Sequence, residues 1–322
     1  MKAQKAVVAG GAGFIGTYVV QVFLDNGWRV SVLDRHPVQV NRQRYESQRL
    51  EMVVADFADT DRLLRCCAGA DAIVHLAHST VPATAADHAC LDITDAILPT
   101  VRFLSRLPSQ HIRRLVYISS GGTIYGPSHD TPIRESHPTE PISVYGIAKL
   151  AIEQYVRLYA SLKGFGSAIL RPSNAYGPGQ DLSRPQGAVA IFLDRICQNQ
   201  PVEIFGDGSI VRDYLHVIDL ASAIYLAASS ELSGVWNIGT GRGSSISGLI
   251  ELLQSAASKR AVVHYLPPRA FDVPVNVLDI AQVQKDLGWT PTVRLEAGIK
   301  NLYQAYSRNE WHLRWHCPWV SS

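Results

Sequence analysis

The chain has 322 residues, 47% of them hydrophobic and 18% charged, enough to bury a substantial core in one large or two unequal domains. Thirty basic side chains stand against 28 acidic ones, with no long basic run and no stretch of about 18 uninterrupted apolar residues, which excludes nucleic acid and membrane as partners. Five cysteines (Cys66, Cys67, Cys90, Cys197 and Cys317), odd in number and without paired-ligand spacing, speak against a disulfide framework and against a metal site. Reduced thiols, together with an N-terminal apolar run too brief for a signal peptide, lead to the expectation of a cytoplasmic protein.

Lys5 to Ala9 has the pattern of a short buried strand, and Gly10-Gly11-Ala12-Gly13-Phe14-Ile15-Gly16 follows it into an apolar-periodic helix over about 14–25. Strand, glycine turn and helix in that order form a dinucleotide fingerprint. Gly10, Gly13 and Gly16 allow a tight turn, close approach of backbone to a pyrophosphate and close packing of helix on sheet, while the helix N-terminus offers unpaired N–H donors, at Phe14 and Ile15 among others. The next strand, Arg29 to Leu33, ends in Asp34, eighteen residues beyond the last glycine, where a carboxylate can bind both ribose hydroxyls and repel a 2′-phosphate. NAD is therefore expected rather than NADP, with Arg35 beside the acid as a further cofactor contact.

Strands are predicted at 50–55, ending at Asp56 and Phe57, and at 71–77, ending at Leu76, Ala77 and His78. Strand alternates with helix throughout, so the predicted fold is α/β, a Rossmann-type doubly wound parallel sheet whose ligand lies at the carboxyl ends of its strands. Asp56 is expected at the adenine rim. His75 and His78, three apart in a strand, point to opposite faces, so core or cleft lining is the better reading than metal ligation. A long helix over about 85–106 leads to the strand 114–118 and to Ser119-Ser120-Gly121-Gly122-Thr123-Ile124-Tyr125-Gly126, whose hydroxyls meet the same cleft.

The next helix carries Tyr145 and Lys149, four apart and hence on one face. An ammonium beside a phenol favours the phenolate, so the pair can exchange protons with a hydroxyl, and Lys149 is expected to lower the phenol pKa. Further on, helices are predicted at 187–199 and 217–229, and strands at 202–205 and 234–239.

With these motifs, and with Arg171-Pro172-Ser173-Asn174-Ala175-Tyr176-Gly177-Pro178 and Val211-Arg212-Asp213-Tyr214-Leu215-His216-Val217-Ile218-Asp219, the chain from about Lys5 to Tyr306 resembles extended short-chain dehydrogenases/reductases of the nucleotide-sugar epimerase and dehydratase family. The resemblance implies a smaller C-terminal α/β lobe for the sugar nucleotide. It implies division into an NAD-binding domain over 1–172, with 213–234 returning to it, a substrate lobe over 173–212 and 235–310, and a tail over 311–322. It also implies that Asn174 contacts the sugar nucleotide, that Arg212 and Arg269, with Asp272, bind its diphosphate, that Pro172 lines the cofactor site, and that two long helices pair in a homodimer through positions such as Ile147, Ala151, Tyr155 and Leu158. The activity implied is epimerisation at C4 of a UDP-hexose, with a 4-keto-sugar reductase or UDP-sugar 4-dehydrogenase as alternatives and a non-catalytic dinucleotide sensor as a remote one.

Three features depart from the pattern. Gly121 stands where the family places its catalytic Ser or Thr, so Thr123, Ser120 or Ser119 is expected to serve. Asp92 stands near a position where many relatives carry Asn. The loop has Gly122-Thr123 in place of the acidic pair of dehydratases, which disfavours dehydration. At Asn276 the resemblance places a residue that gates the sugar's C2 substituent, and an Asn there leaves room for an N-acetyl group. The Trp- and His-rich tail falls outside the resemblance and is expected to lie on an apolar surface or a subunit contact.

Overall fold

The structure, a computed structural model, describes residues 3–37, 49–78, 80, 89–108, 112–128, 130–183, 186–269 and 272–309. The sequence expectations for 85–88, for Ala270 and Phe271 and for the tail lie outside those residues.

The first half of the chain alternates as its apolar runs require. β1 (Lys5–Ala9), α1 (Phe14–Asp25), β2 (Arg29–Asp34), β3 (Leu50–Val54), α2 (Thr60–Cys67) and β4 (Ala72–His75) are followed by a helical segment in three parts. These are α3 (Ala89–Leu91), a π-helical stretch (Asp92–Ile97) and α4 (Leu98–Arg106). The segment corresponds to the single long helix expected from sequence; the wider π turn in its middle has no hydropathy signature, and such turns gather at functional sites. β5 (Arg114–Ile118), α5 (Val144–Lys163) and β6 (Gly166–Pro172) complete the large domain's run. Ser143 caps α5 by accepting from the Gly146 N–H, and Gly164, in the left-handed region, ends it.

The remaining elements are β7 (Asn174–Tyr176), α6 (Ala188–Cys197), β8 (Val202–Phe205), β9 (Val211–His216), α7 (Val217–Ser229), β10 (Gly234–Ile238), β11 (Gly243–Ser245), α8 (Ile246–Ala257), β12 (Val263–Leu266), β13 (Val275–Asn276), α9 (Ala281–Leu287) and α10 (Leu295–Ser307). Seven strands form one parallel sheet in the order β10-β6-β5-β4-β1-β2-β3. Its reversal beside β1 puts the ligand crevice at the carboxyl ends of β1 and β4. Both faces are covered, as near-continuous apolar strands demand: α1 and α7 pack on one, α2, α4 and α5 on the other.

One domain assignment is corrected. The strand 234–238, placed by the sequence reading in the smaller lobe, pairs in parallel with β6 from Gly234↔Ala168 to Ile238↔Pro172 and is the outermost strand of the large sheet. Ile280, Val283 and Trp289 also join the large core. The smaller lobe consists of β9 with β7, β11 and β13, the β8–β12 pair, and helices α6, α8 and α10 around their own apolar cluster.

Candidate active site

A cleft of about 1260 Å³ runs from the glycine turn across the strand ends into the smaller lobe. At its cofactor end, Gly10 adopts φ +85°, and a Cβ there would come within 2.8 Å of the Ala77 nitrogen. A Cβ on Gly16 would lie 2.2 Å from the Gly10 carbonyl oxygen, so both positions exclude any side chain. Gly13 is the N-cap position of α1, whose N-terminus has neither a side-chain cap nor an acidic residue in its first turn. Its N–H groups, with Phe14 and Ile15 beside them, are left to face the cleft and suit an anionic pyrophosphate.

Asp34 braces this turn: its carboxylate accepts from the Ala12 N–H at 2.9 Å and from the His36 N–H at 3.1 Å. Arg35 is turned to Asp56, Nε to Oδ2 at 2.8 Å. Burial works against the Asp56 charge, but hydrogen bonds from the Ala58 backbone and from Arg35 hold the carboxyl below its usual range. Phe57, Leu76, Ala77, His78 and Pro172 line the cleft, whereas Asp56 does not and reaches the rim only through Arg35. His75 lies in the core, stacked on Phe57 at 4.4 Å and bonded to the Thr100 hydroxyl at 2.9 Å, and burial holds it neutral by lowering its pKa to about 3.

Tyr145 and Lys149 meet Ser119, Ser120 and Thr123 in the middle of the cleft. Lys149 is buried, donates to the Ile118 carbonyl at 2.9 Å, and places its ammonium 5.6 Å from the Tyr145 ring centre and 5.3 Å from that of Tyr117. Burial lowers its pKa to about 8, with Asp92 and Glu153 opposing the shift. The Tyr145 phenol departs from the sequence expectation: burial first, then the Asp92 charge, push its pKa up, and Lys149 alone does not reverse this. The hydroxyls of Ser119 and Thr123 are buried, with no hydrogen-bond partner among the described residues, so both are free to bind a ligand oxygen.

Gly121 lacks a hydroxyl for a packing reason. A Cβ there would meet Leu278 Cδ1 at 2.6 Å and the Arg171 carbonyl at 2.9 Å. The Gly121 carbonyl accepts from Asn276 Nδ2 at 3.1 Å, and this bond corrects the gatekeeper assignment. Asn276 is 1% exposed, pairs with Arg212 in the β13–β9 ladder, and is not among the residues lining the cleft. Its amide supports the hydroxyl-bearing loop from behind.

In the smaller lobe Asn174 lines the cleft and donates to the Asp213 carbonyl at 3.1 Å. Arg212 and Arg269 both reach Asp272, at 3.9 Å and 2.9 Å, and Arg212 Nη1 also donates to the Val273 carbonyl at 2.7 Å. The Arg269 guanidinium lies 4.2 Å from the centre of the Phe205 ring. Phe205 thus belongs to this end of the site, and nothing in its short strand marked it. Asp213 and Asp219, from the same motif as Arg212, are structural: Asp213 accepts from Thr240 and Gly241, and Asp219 from Thr292 and Val293.

Compared with known proteins, residues 6–239 match the model of the NAD dependent epimerase/dehydratase family. The chain belongs to that family. A UDP-glucose 4-epimerase of Mycolicibacterium smegmatis is 33% identical over 304 residues, 92% of this chain and 96% of that protein. The crystal structure of a UDP-glucose 4-epimerase from Thermotoga maritima with UDP-glucose superposes with a TM-score of 0.88 at 32% identity, covering 95% of this chain and all of that one. The Thermus thermophilus UDP-glucose 4-epimerase in complex with NAD gives a TM-score of 0.84 at 30% identity over 94% and 99% of the two chains. The family's cofactor is NAD, and the groups at the glycine turn and Asp34 fit it: open N–H donors for the pyrophosphate and a carboxylate for the ribose. Among the described residues no helix is long and apolar enough to cross a membrane.

Proposed function

We propose that the protein epimerises a UDP-hexose at C4 through a transient 4-keto sugar. The observation that carries this reading is one cleft lined by Tyr145 and Lys149, by the Ser119 and Thr123 hydroxyls, which have no partner among the described residues, by a dinucleotide turn and by two arginines. Bound NAD supplies a hydride acceptor and, on return, a hydride donor. Tyr145 Oη takes the proton of the sugar's O4 as C4 is oxidised and gives it back as C4 is reduced. Thr123 Oγ1, with Ser119 or Ser120, holds O4 against the phenol. Lys149, tied to the Ile118 carbonyl, keeps a positive charge beside the Tyr145 phenolate, the form that takes the O4 proton and is restored when the proton is given back. Arg212 and Arg269 hold the diphosphate, to which guanidinium geometry is matched, and Asn174 holds the sugar nucleotide.

The loop's Gly122-Thr123 gives no acid pair for dehydration, and an Asn276 buried behind the loop removes the basis for expecting an N-acetylated sugar. A homodimer belongs to the same proposal: Ile147, Leu158 and Leu162 stand exposed along α5, with Leu91 and Ile93 exposed on the adjoining helical segment, an apolar face that a second copy would cover. Incubating the purified protein with UDP-glucose, UDP-N-acetylglucosamine and UDP-glucuronate without added reductant, then resolving the products, tests the proposal. A C4 epimer of at least one sugar is expected; a C4 epimer of none refutes it.

A further inference from the structure

Asp92 opens the π-helical stretch and is 1% exposed. Taking a carboxylate out of water is costly unless its oxygens are satisfied. Here Oδ1 accepts the Thr80 hydroxyl and lies 3.0 Å from His78 Nε2, while Oδ2 has no hydrogen-bond partner among the described residues. The His78 ring in turn stands edge-on to the Tyr145 phenol, centres 4.8 Å apart at 81°. A buried acid thus lies against one imidazole, which packs on the proton-handling tyrosine; neither His78 nitrogen makes an aligned hydrogen bond among the described residues, so the link is one of proximity and packing.

Among the described residues, the charged and titratable groups that bear on this cluster are Lys149 and Glu153 from α5, Tyr117 from β5 and His75 from β4. Glu153 is neutralised by Arg171, Nη2 to Oε2 at 2.7 Å, and His75 is held neutral, so Asp92 is left, among these groups, as the uncompensated anion whose charge acts on the Lys149 ammonium. Burial opposes the Asp92 charge, yet His78, Thr80 and Lys149 together hold its carboxyl below the ordinary range. Burial and the nearby Lys149 lower the His78 pKa to about 4, so near neutral pH the imidazole does not cancel that charge.

We propose that Asp92, with His78 between it and Tyr145, is a positioning residue that seats the phenol and counterbalances Lys149, thereby fixing the pH range over which the Tyr145–Lys149 pair works. The proposal rests on the epimerase reading only for what the pair does, not for the coupling itself. A negative charge here strengthens the hold of both groups on their protons. Removing it while keeping the shape should release both at lower pH, by about one unit, the low end of what a nearby charge contributes.

The test is Asp92→Asn, read first without turnover. In full-length protein carrying labelled lysine and saturated with NAD, the Lys149 side-chain NMR signal, assigned by its loss in Lys149→Met, is followed against pH. Its midpoint should fall by about one unit in Asp92→Asn and return toward the original value in Asp92→Glu. The kcat/KM profile on whichever sugar turns over should move to lower pH by the same amount, and His78→Phe, which keeps a ring against Tyr145, should leave Lys149 still titrating under the Asp92 charge. An unmoved Lys149 midpoint in Asp92→Asn overturns the proposal, whatever happens to the rate. Because the titration needs no substrate, failure to find an epimerised sugar would sink the functional reading while leaving this coupling measurable.

Discussion

The two ends of the cleft handle charge in opposite ways. At the Tyr145 end the ionisable groups are buried, their shifts are large, and the hydroxyls of Ser119 and Thr123 have no partners among the described residues. At the Arg212–Arg269 end the cations are already engaged by Asp272, a backbone carbonyl and the Phe205 ring, and Arg269 is more than a third exposed. The difference matches the work assigned to each. A proton-transfer site gains from groups whose affinities are displaced by burial, whereas a phosphate site gains from guanidinium groups held in a fixed attitude and reachable from solvent.

Substitutions at the two ends should therefore separate rate from binding. Tyr145→Phe should lower kcat by about two to four orders of magnitude while leaving NAD binding intact, the usual worth of a positioned proton-transfer group; steady-state rates with parallel NAD titration check it. Arg269→Ala should raise KM about tenfold with kcat little changed, the scale of one hydrogen bond to a charged group. A matching loss in kcat would mean that the arginine end takes part in the chemistry and would blur the contrast.

Gly121→Ser sharpens it from another side. The hydroxyl expected from the family would return, but its Cβ would press on Leu278 and the Arg171 carbonyl, so a loss of about 1–3 kcal/mol in stability is expected, together with lower activity. Denaturant unfolding and rate measurements on one preparation would show both.

The smallest effect concerns acid. His75, His78 and His216 are held neutral by burial, with pKa values lowered to about 3, 4 and 4. The unfolded chain binds protons at these histidines from about pH 6.5 downward and the folded chain does not, so stability present above pH 6.5 is lost as pH falls toward 4. Thermal unfolding followed from pH 7.5 to 5 should show Tm declining below pH 6.5, and less steeply in His216→Gln.

Local pattern carried much of this into the sequence. The helix after the glycine turn runs over 14–25 as its periodicity requires, because both its ends are set by neighbouring residues, and Tyr145 and Lys149 share a helix face by spacing alone. What the sequence did not reveal depends on partners distant along the chain. The strand 234–238 looks the same whether it closes the small lobe or pairs with β6. Asn276 could be assigned to the sugar only while its bond to the Gly121 carbonyl, 155 residues away, was unknown. Lys149 beside a phenol suggests a lowered pKa until the burial of both and the charge of Asp92 are counted.

The central claim is that one carbon loses and regains the same hydride while Tyr145 moves the proton. Turnover of a UDP-hexose deuterated at C4, with the epimer examined by NMR, tests it most directly. Retention of the deuterium at C4 of the epimerised sugar is the expected result. Deuterium lost to solvent or passed to added cofactor, or a C4 epimer formed equally fast by Tyr145→Phe, would contradict it.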